Sequence, residues 1–552
     1  MKMCKQQKVS RILTLCGAAA TSLLLWGCSG AGATTESFER SDYYTRGIGQ
    51  YPGNPKEDFS PDLAPDKSNY RNIALLRSAF NSSSHDYNLV AQLATDGIVT
   101  DEQPQYLNLS TPDGDVPRRE REWMIDEGPY SRNTFPGGDT YFQFTLANYS
   151  KAAGKLSLVG TVVYDDKVSE GGYEIICQGS NDGQNWTEVG KLSGKGLPGD
   201  AVRYRMPVTD PNKQTEQISM PVRKLNETIA FDKEANYSNY RVLLKMAGAH
   251  SWVFTAADFY NKDGMVEMKP SQFFNSAWMS ATTGEEWLYV DLGSQSEFDK
   301  VVLRWINKAV KGKVQVSDNA EQWTDVAELP GGEELVDEIS LNGKKNARYV
   351  RILMQQPAND SRYILSELEV MGKGGLVPQP VAAPAASKGE IYLSGGNWKL
   401  QRASEITATG EEISTPGFQP ENWVVATVPG TVLSSYKNIG AIADPNYADN
   451  QLQISESFFN SDFWYRDEFE VPADFKQDRV FLNFDGINWK ANVYVNGKQA
   501  GRIEGAFMRG KFDVTDLIVP GKNVVAVEII KNQHIGAIKE KNALSTDFNG
   551  GI

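Results

Sequence analysis

"YEIICQGSNDGQNWTEVGKL" (Tyr173–Leu192) and "GKVQVSDNAEQWTDVAEL" (Gly312–Leu329) spell one pattern twice. In each, an alternating apolar run enters a Ser-Asn/Asp turn and leaves through Trp-Thr-x-Val. Alternation with period two sends successive side chains to opposite faces of a strand, and the Ser/Asn/Asp cluster supplies the reversal. "NYRVLLKM" (Asn239–Met246) and then "FTAADFY" follow the first unit. "ARYVRILM" (Ala347–Met354) and then "ILSELEV" follow the second. The same order of elements predicts two copies of one β-sandwich. Trp186 and Trp323, each at the start of an alternating strand, read as core residues.

Outward from the repeat the idiom persists. "KVVLRW", "RVFLNF" and "KNVVAVEII" are short, alternating and aromatic-rich, and no long helical period competes with them. With 49 Gly and 25 Pro in 552 residues, the expected class is all-β. Two stretches break the pattern. Residues 29–70 are rich in Gly, Pro and charge and read as a flexible tether, and residues 373–389, within "GKGGLVPQPVAAPAAS", as a Pro/Ala-rich linker. The expected domains are therefore 71–268, 269–372 and 390–552.

A formal charge of −14 excludes nucleic acid as a natural partner. Cys4, Cys16 and Cys28 lie near the start, leaving Cys177 alone, so the folded part is no disulfide scaffold. His85, His250 and His534 are too scattered for a zinc site. At the N-terminus, Lys2, Lys5, Lys8 and Arg11 precede the short apolar run "ILTLCGAAATSLLLW" and then "GCSG". This is the build of a signal peptide over residues 1–28 and too short for a spanning helix.

Several segments resemble known families. "LLWGCS" is similar to a bacterial lipoprotein box, which implies acylation of Cys28 and an exported, membrane-anchored protein. "WLYVDLGSQSEFDKVVLRW", the Ser-Asp…Trp-Thr turn, "ARYVRI" and "LSELEV" resemble a discoidin-type (factor 5/8 C-type) jelly roll. The first copy reads as a divergent member that opens with "NIALLRSAFNSSSHDYNLVAQLATDG" (Asn72–Gly97) and carries long insertions at Val99–Asp139 and Ser193–Lys233. The second reads as trimmed at its start. This resemblance implies sugar binding at loops. It also implies a structural calcium, with Asp96 and Asp258 in the first copy and Glu367 in the second as hard-oxygen ligands.

"GGNWKLQRA", "NIGAIADPNYADNQ", "SDFWYRDEFEVP", "RVFLNFDGINWKANVYVNGKQAG" and "FDVTDLIVPGKNVVAVEI" look like the N-terminal sugar-binding jelly roll of the family-two glycoside hydrolases. The Asp444-Pro445…Asn450 loop leans toward the β-mannosidase and exo-β-glucosaminidase branch, where Asp444 and Asn450 would face substrate. In that family a (β/α)₈ barrel further along supplies two catalytic glutamates, their carboxyls roughly 5–5.5 Å apart in a retaining enzyme. Runs such as Glu333-Glu334 and Glu411-Glu412 read instead as solvated. "STDFNGGI" reads as mid-domain, so the third module is expected to be incomplete at residue 552. Sugar-stacking candidates in polar loops are His85 and Tyr87, Tyr130 and Arg132, and Arg362 and Tyr363. The expectation is the anchoring and carbohydrate-binding portion of a lipoprotein β-glycosidase, its partners oligo- or polysaccharides and a membrane reached through the lipid. The alternative is a non-catalytic sugar-binding lipoprotein.

Overall fold

The computed structural model describes residues 58–531 apart from 117–132, 137, 165–171, 196–201, 208–216, 247–248, 270–273, 360, 380, 383–388, 476, 489 and 506–507. The repeat folds as two β-sandwiches, followed by a third β-module. In the first sandwich one sheet runs Thr187–Lys195, Gly172–Ser180, Asn239–Met246, Thr140–Ala147, Tyr106–Thr111 and Gly114–Asp115. Its partner sheet runs Val202–Pro207, Gln217–Tyr237, Lys151–Tyr164, Ala249–Asn261 and Gly264–Val266. Alternation along Thr140–Ala147 buries Phe142, Phe144 and Leu146 and leaves Tyr141, Gln143 and Thr145 half-exposed. Phe142 meets Phe144 at 5.4 Å and Phe254 at 5.2 Å, edge to face. Each such ring contributes roughly 1.5–3 kcal/mol through burial.

The second sandwich is built on long strands that serve both layers. Glu286–Asn307 pairs with Val336–Pro357 through Asp291, breaks register before Ser296, and resumes that pairing to Arg304 while its other edge pairs with Ile364–Lys373. Gly293 sits in that break with φ +77°, a conformation that glycine adopts without a Cβ clash. The sheet closes with Ala309–Ser317 and Thr324–Glu328. A buried pair, Lys308 Nζ to Asp337 Oδ1 at 2.9 Å, lies inside it. Trp305 Nε1 also donates to Asp337, and Lys308 donates to the Glu334 carbonyl, so both charges are satisfied.

The structure corrects the domain boundary at residue 71. The opening segment Asn72–Gly97 belongs to the second sandwich, not the first. Arg71–Asn72 pairs with Ile364–Lys373, and Ala79–Asn81 pairs with Glu286–Asn307. Ile73, Ala74, Ala79, Ala91 and Ala94 lie in one core with Trp278, Val350, Ile352 and Leu368. The second sandwich is therefore complete at its start and discontinuous in sequence, with the first inserted between residue 98 and residue 274. Proximity in sequence assigned the segment to the wrong neighbour; unpaired backbone and apolar side chains assign it to the right one. The tether and linker are also shorter than expected, because Asp62–Pro65 and Leu376–Gln379 pair with each other.

In the third module the sheet order is Val424–Val425, Lys399–Arg402, Phe463–Val471, Gly521–Ile530, Lys490–Val495 and Lys498–Glu504. A two-stranded sheet, Phe481–Phe484 with Gly510–Asp513, accompanies it. The module docks on the second sandwich. Thr431 and Ser434 form a capping box that starts the helix Val432–Asn438. Just past its C-terminal end, the Ile439 carbonyl accepts from Arg77 Nη2 at 2.6 Å, and the Gly440 carbonyl accepts from Ser78 N at 3.0 Å. A cation suits that end of a helix. Leu93 enters the third module's core, Ser455 N donates to Gln92 Oε1, and Ser457 N donates to Asn88 Oδ1.

Within Phe463–Val471, the buried Asp467 has an Oδ1 without a described hydrogen-bond partner. Burial pushes its carboxyl up to about 7, against the opposing pull of the Asn397 and Glu468 N–H groups and of Arg466.

Two outcomes are expected. A fragment of residues 271–373 alone should not fold, because residues 71–98 complete its core; co-expressing residues 58–100 should restore a cooperative melt. Cooperative unfolding of 271–373 by itself would refute this. Between about pH 4 and pH 7, folded Asp467 keeps a proton that the unfolded chain releases. Its contribution therefore falls as pH rises and levels off above about 7. Asp467→Asn should remove that penalty, gaining up to roughly 4 kcal/mol over wild type as pH rises; parallel stability–pH curves would refute it.

Candidate functional site

The polar run "SSSHDYN" reads as an open loop, but its hydroxyls are already engaged. Ser83 Oγ donates to Glu286 Oε1 at 2.7 Å, Ser82 Oγ donates to Glu286 Oε2, and Thr282 Oγ1 donates to the same carboxylate. His85 is 1% exposed and packs edge-on against Tyr106 at 4.4 Å. Tyr87 is half-buried, and its carbonyl accepts from Glu456 N of the third module. His85 is thus interior rather than a sugar platform, and Tyr87 belongs to the contact between modules.

Tyr363 is fully buried, its hydroxyl donating to the Gly284 carbonyl at 2.9 Å, so it offers no stacking face. Arg362 donates to the Ala281 carbonyl and pairs with Asp115 at 3.1 Å, tying the second sandwich to the first. Both corrections have one cause: a polar-looking turn was used to join elements. Tyr130 and Arg132 lie outside the described residues, as does Cys28.

Asp444 and Asn450 do share an open loop. Asp444 Oδ1 accepts from Asn446 N at 3.0 Å, Asn450 Nδ2 donates to the Asp444 carbonyl at 3.0 Å, and Lys437 lies 3.7 Å from the Asp444 carboxylate. These bonds stiffen the turn as an Asx motif. Tyr447, between them, is 72% exposed. The sequence reading passed over this ring, although "DPNYADN" contains it; its signal is an aromatic flanked only by polar turn residues.

Asp96 and Glu367, expected in different copies, meet in one sandwich. Glu367 Oε2 accepts from Gly97 N at 3.3 Å, while Asp96 accepts from Ile98 N at 2.9 Å and Ser276 Oγ at 2.6 Å. Burial pushes the Asp96 carboxyl up to about 7. Burial, and then the neighbouring Asp96 charge, raises Glu367 as well. Glu367 Oε1 is buried without a described hydrogen-bond partner. Two facing carboxylates with a spare oxygen fit a hard cation such as calcium, which would neutralise both. Asp258 does not join them. It lies on Ala249–Asn261 in the first sandwich, and among the described residues no third acid completes a cluster.

Trp186 and Trp323 are not core residues. Each is half-exposed on the outer face of its sheet, with an arginine over the ring: Arg241 at 3.9 Å and Arg351 at 4.2 Å. Arg241 also lies 4.7 Å from the Tyr141 ring.

Comparison with known proteins agrees with this architecture. Residues 398–549 match the family model described as glycosyl hydrolase 2 galactose-binding domain-like, and residues 256–368 match the F5/8 type C domain. The chain is 34% identical over 158 residues to an exo-β-D-glucosaminidase of Streptomyces avermitilis, covering 28% of this chain and 17% of that protein. It is 33% identical over 171 residues to a mannosylglycoprotein endo-β-mannosidase of Lilium longiflorum, covering 30% and 18% respectively. The chain thus spans less than a fifth of these relatives' length. Among solved structures, the exo-chitosanase of Amycolatopsis orientalis is 28% identical, over 25% of this chain and 16% of that one, with a TM-score of 0.23. The all-β chain therefore carries an F5/8 type C domain followed by a galactose-binding-like domain of the glycosyl hydrolase 2 family.

Proposed function

We propose that this chain is the membrane-anchored, carbohydrate-binding portion of a retaining β-glycosidase acting on β-linked glucosaminyl or mannosyl glycans. The observation that carries this is the match of residues 398–549 to the glycosyl hydrolase 2 galactose-binding-like domain. The relatives named exo-β-D-glucosaminidase and endo-β-mannosidase point to the substrate class. Within that module the Asp444–Asn450 loop is the part suited to a sugar: a stiffened polar turn with an exposed tyrosine at its tip. Asp444 and Asn450 supply acceptor and donor groups for hydroxyls, and Tyr447 supplies apolar ring area.

The discoidin-like sandwiches hold the polysaccharide near the module, raising its local concentration. Acylation of Cys28 fixes the protein at a membrane, each buried methylene contributing ~0.8 kcal/mol. A calcium ion held by Asp96 and Glu367 is structural and supplies charge neutralisation beneath the contact between the second sandwich and the third module. No residue described here is assigned to bond cleavage.

Three outcomes test this. In native gels containing soluble chitosan or β-mannan, the 552-residue chain should be retarded; mobility unchanged by every β-glycan tried would overturn the carbohydrate-binding reading. Labelled palmitate should enter the protein in its bacterial host, and Cys28→Ala should release it from membranes, whereas equal partitioning of the two forms would sink the anchor. Calcium should raise the melting temperature of the chelator-treated protein, and Glu367→Gln should abolish that rise. A melt indifferent to calcium would remove the ion from the account.

A further inference from the structure

The two sandwiches share a backbone plan, and their ladders allow a position-by-position comparison of their outer faces. In the first, Arg241 is paired with Gln143 on one side and Gln178 on the other. In the second, Arg351 is paired with Tyr289 and Gln315. Each arginine covers its own turn tryptophan, so the frames coincide. Tyr289 then occupies the place of Gln143. One pair further along, Tyr349 opposite Asp291 occupies the place of Asn239 opposite Thr145.

In the second sandwich these positions are joined by Trp287 and Phe80 into a continuous ring surface. Phe80 stacks on Tyr289 at 5.0 Å, Trp287 stacks on Tyr289 at 5.4 Å, and Tyr349 meets it edge-on at 6.0 Å. All four residues are half-exposed rather than core. The first sandwich carries Gln and Asn at the matched positions and still closes, so the fold does not require these rings.

We infer that this outer face of the second sandwich is a platform for a β-linked glycan chain. The inference rests on the carbohydrate-binding reading above and says which surface carries it. The chemistry suits a sugar: rings offer apolar area to the C–H faces of pyranoses, beside forked polar groups for hydroxyls. Arg351 makes one described hydrogen bond, from Nε to Gln315 Oε1 at 2.7 Å. Arg348 forms a bidentate pair with Asp291 at 2.7 and 2.8 Å at the rim. Charged groups threaded through the rings disfavour a dry dimer contact, and a net charge of −14 disfavours an anionic lipid surface.

The test uses the full chain with Tyr289→Gln and Tyr349→Asn together, the residues that the first sandwich tolerates. Retardation by soluble chitosan or β-mannan should weaken by roughly tenfold, the loss expected for two ring contacts, with the melt unchanged. Retention within twofold of wild type, or a change in oligomeric state alone, overturns the platform and leaves the carbohydrate-binding reading intact. Wild type that binds no glycan overturns both. Should the double variant melt early, iodide quenching of tryptophan in the wild type decides. A chito- or manno-oligosaccharide hexamer should shield Trp287, and a Trp287→Tyr form should lose the shielded fraction; quenching unaffected by the hexamer overturns the platform.

Discussion

The segment of residues 71–98 carries contacts that the rest of the molecule depends on. One side of it completes the second sandwich, with Ile73, Ala74 and Ala79 in the core and Asn72 Oδ1 accepting from Val370 N. Its other side meets the third module through Arg77, Asn88, Gln92 and Leu93. A single stretch thus closes one core and docks the next. The first sandwich hangs from the end of this segment as an insertion, joined back through Arg362 and Asp115. Its own two sheets satisfy each other, which is why the insertion does not disturb the host.

Charge is buried where these units meet, and each burial is compensated differently. Arg77 is held by carbonyls beyond a helix end. Arg402 lies over the Phe274 ring at 3.8 Å and donates to the Phe458 carbonyl. Burial lowers both guanidinium groups to about 10, yet both remain protonated near neutrality. Asp96 lies close enough to Arg402 for its charge to pull the Asp96 carboxyl down, though burial outweighs it. Proton binding and docking of the third module therefore act on one neighbourhood.

The two sandwiches show how one fold separates scaffold from site. Inward residues are apolar in both, while the positions on the opposite face differ: half-exposed Gln143 and buried, polar Asn239 in one, half-exposed Tyr289 and Tyr349 in the other. The arginine-over-tryptophan contact is common to both and belongs to the scaffold, keeping the turn tryptophan against the sheet. Sequence alternation alone made these tryptophans core residues, because period two names a face without saying which face is inside.

By itself the sequence determined what is local. Alternating runs specify strands, the Ser-Asn/Asp turns specify reversals, and repetition of both specifies two sandwiches followed by a third β-module. The open Asp444–Asn450 turn was also legible, since an Asp-Pro start organises its own backbone. Tertiary structure alone decided ownership and burial. Only strand pairing transfers Asn72–Gly97 to the second sandwich and brings Asp96 to Glu367 across 271 residues of chain. Only packing turns His85 and Tyr363 from loop platforms into interior groups. Long-range hydrogen bonds and apolar contacts leave no local periodicity; which turn stays open to a sugar depends on what the rest of the chain folds against it.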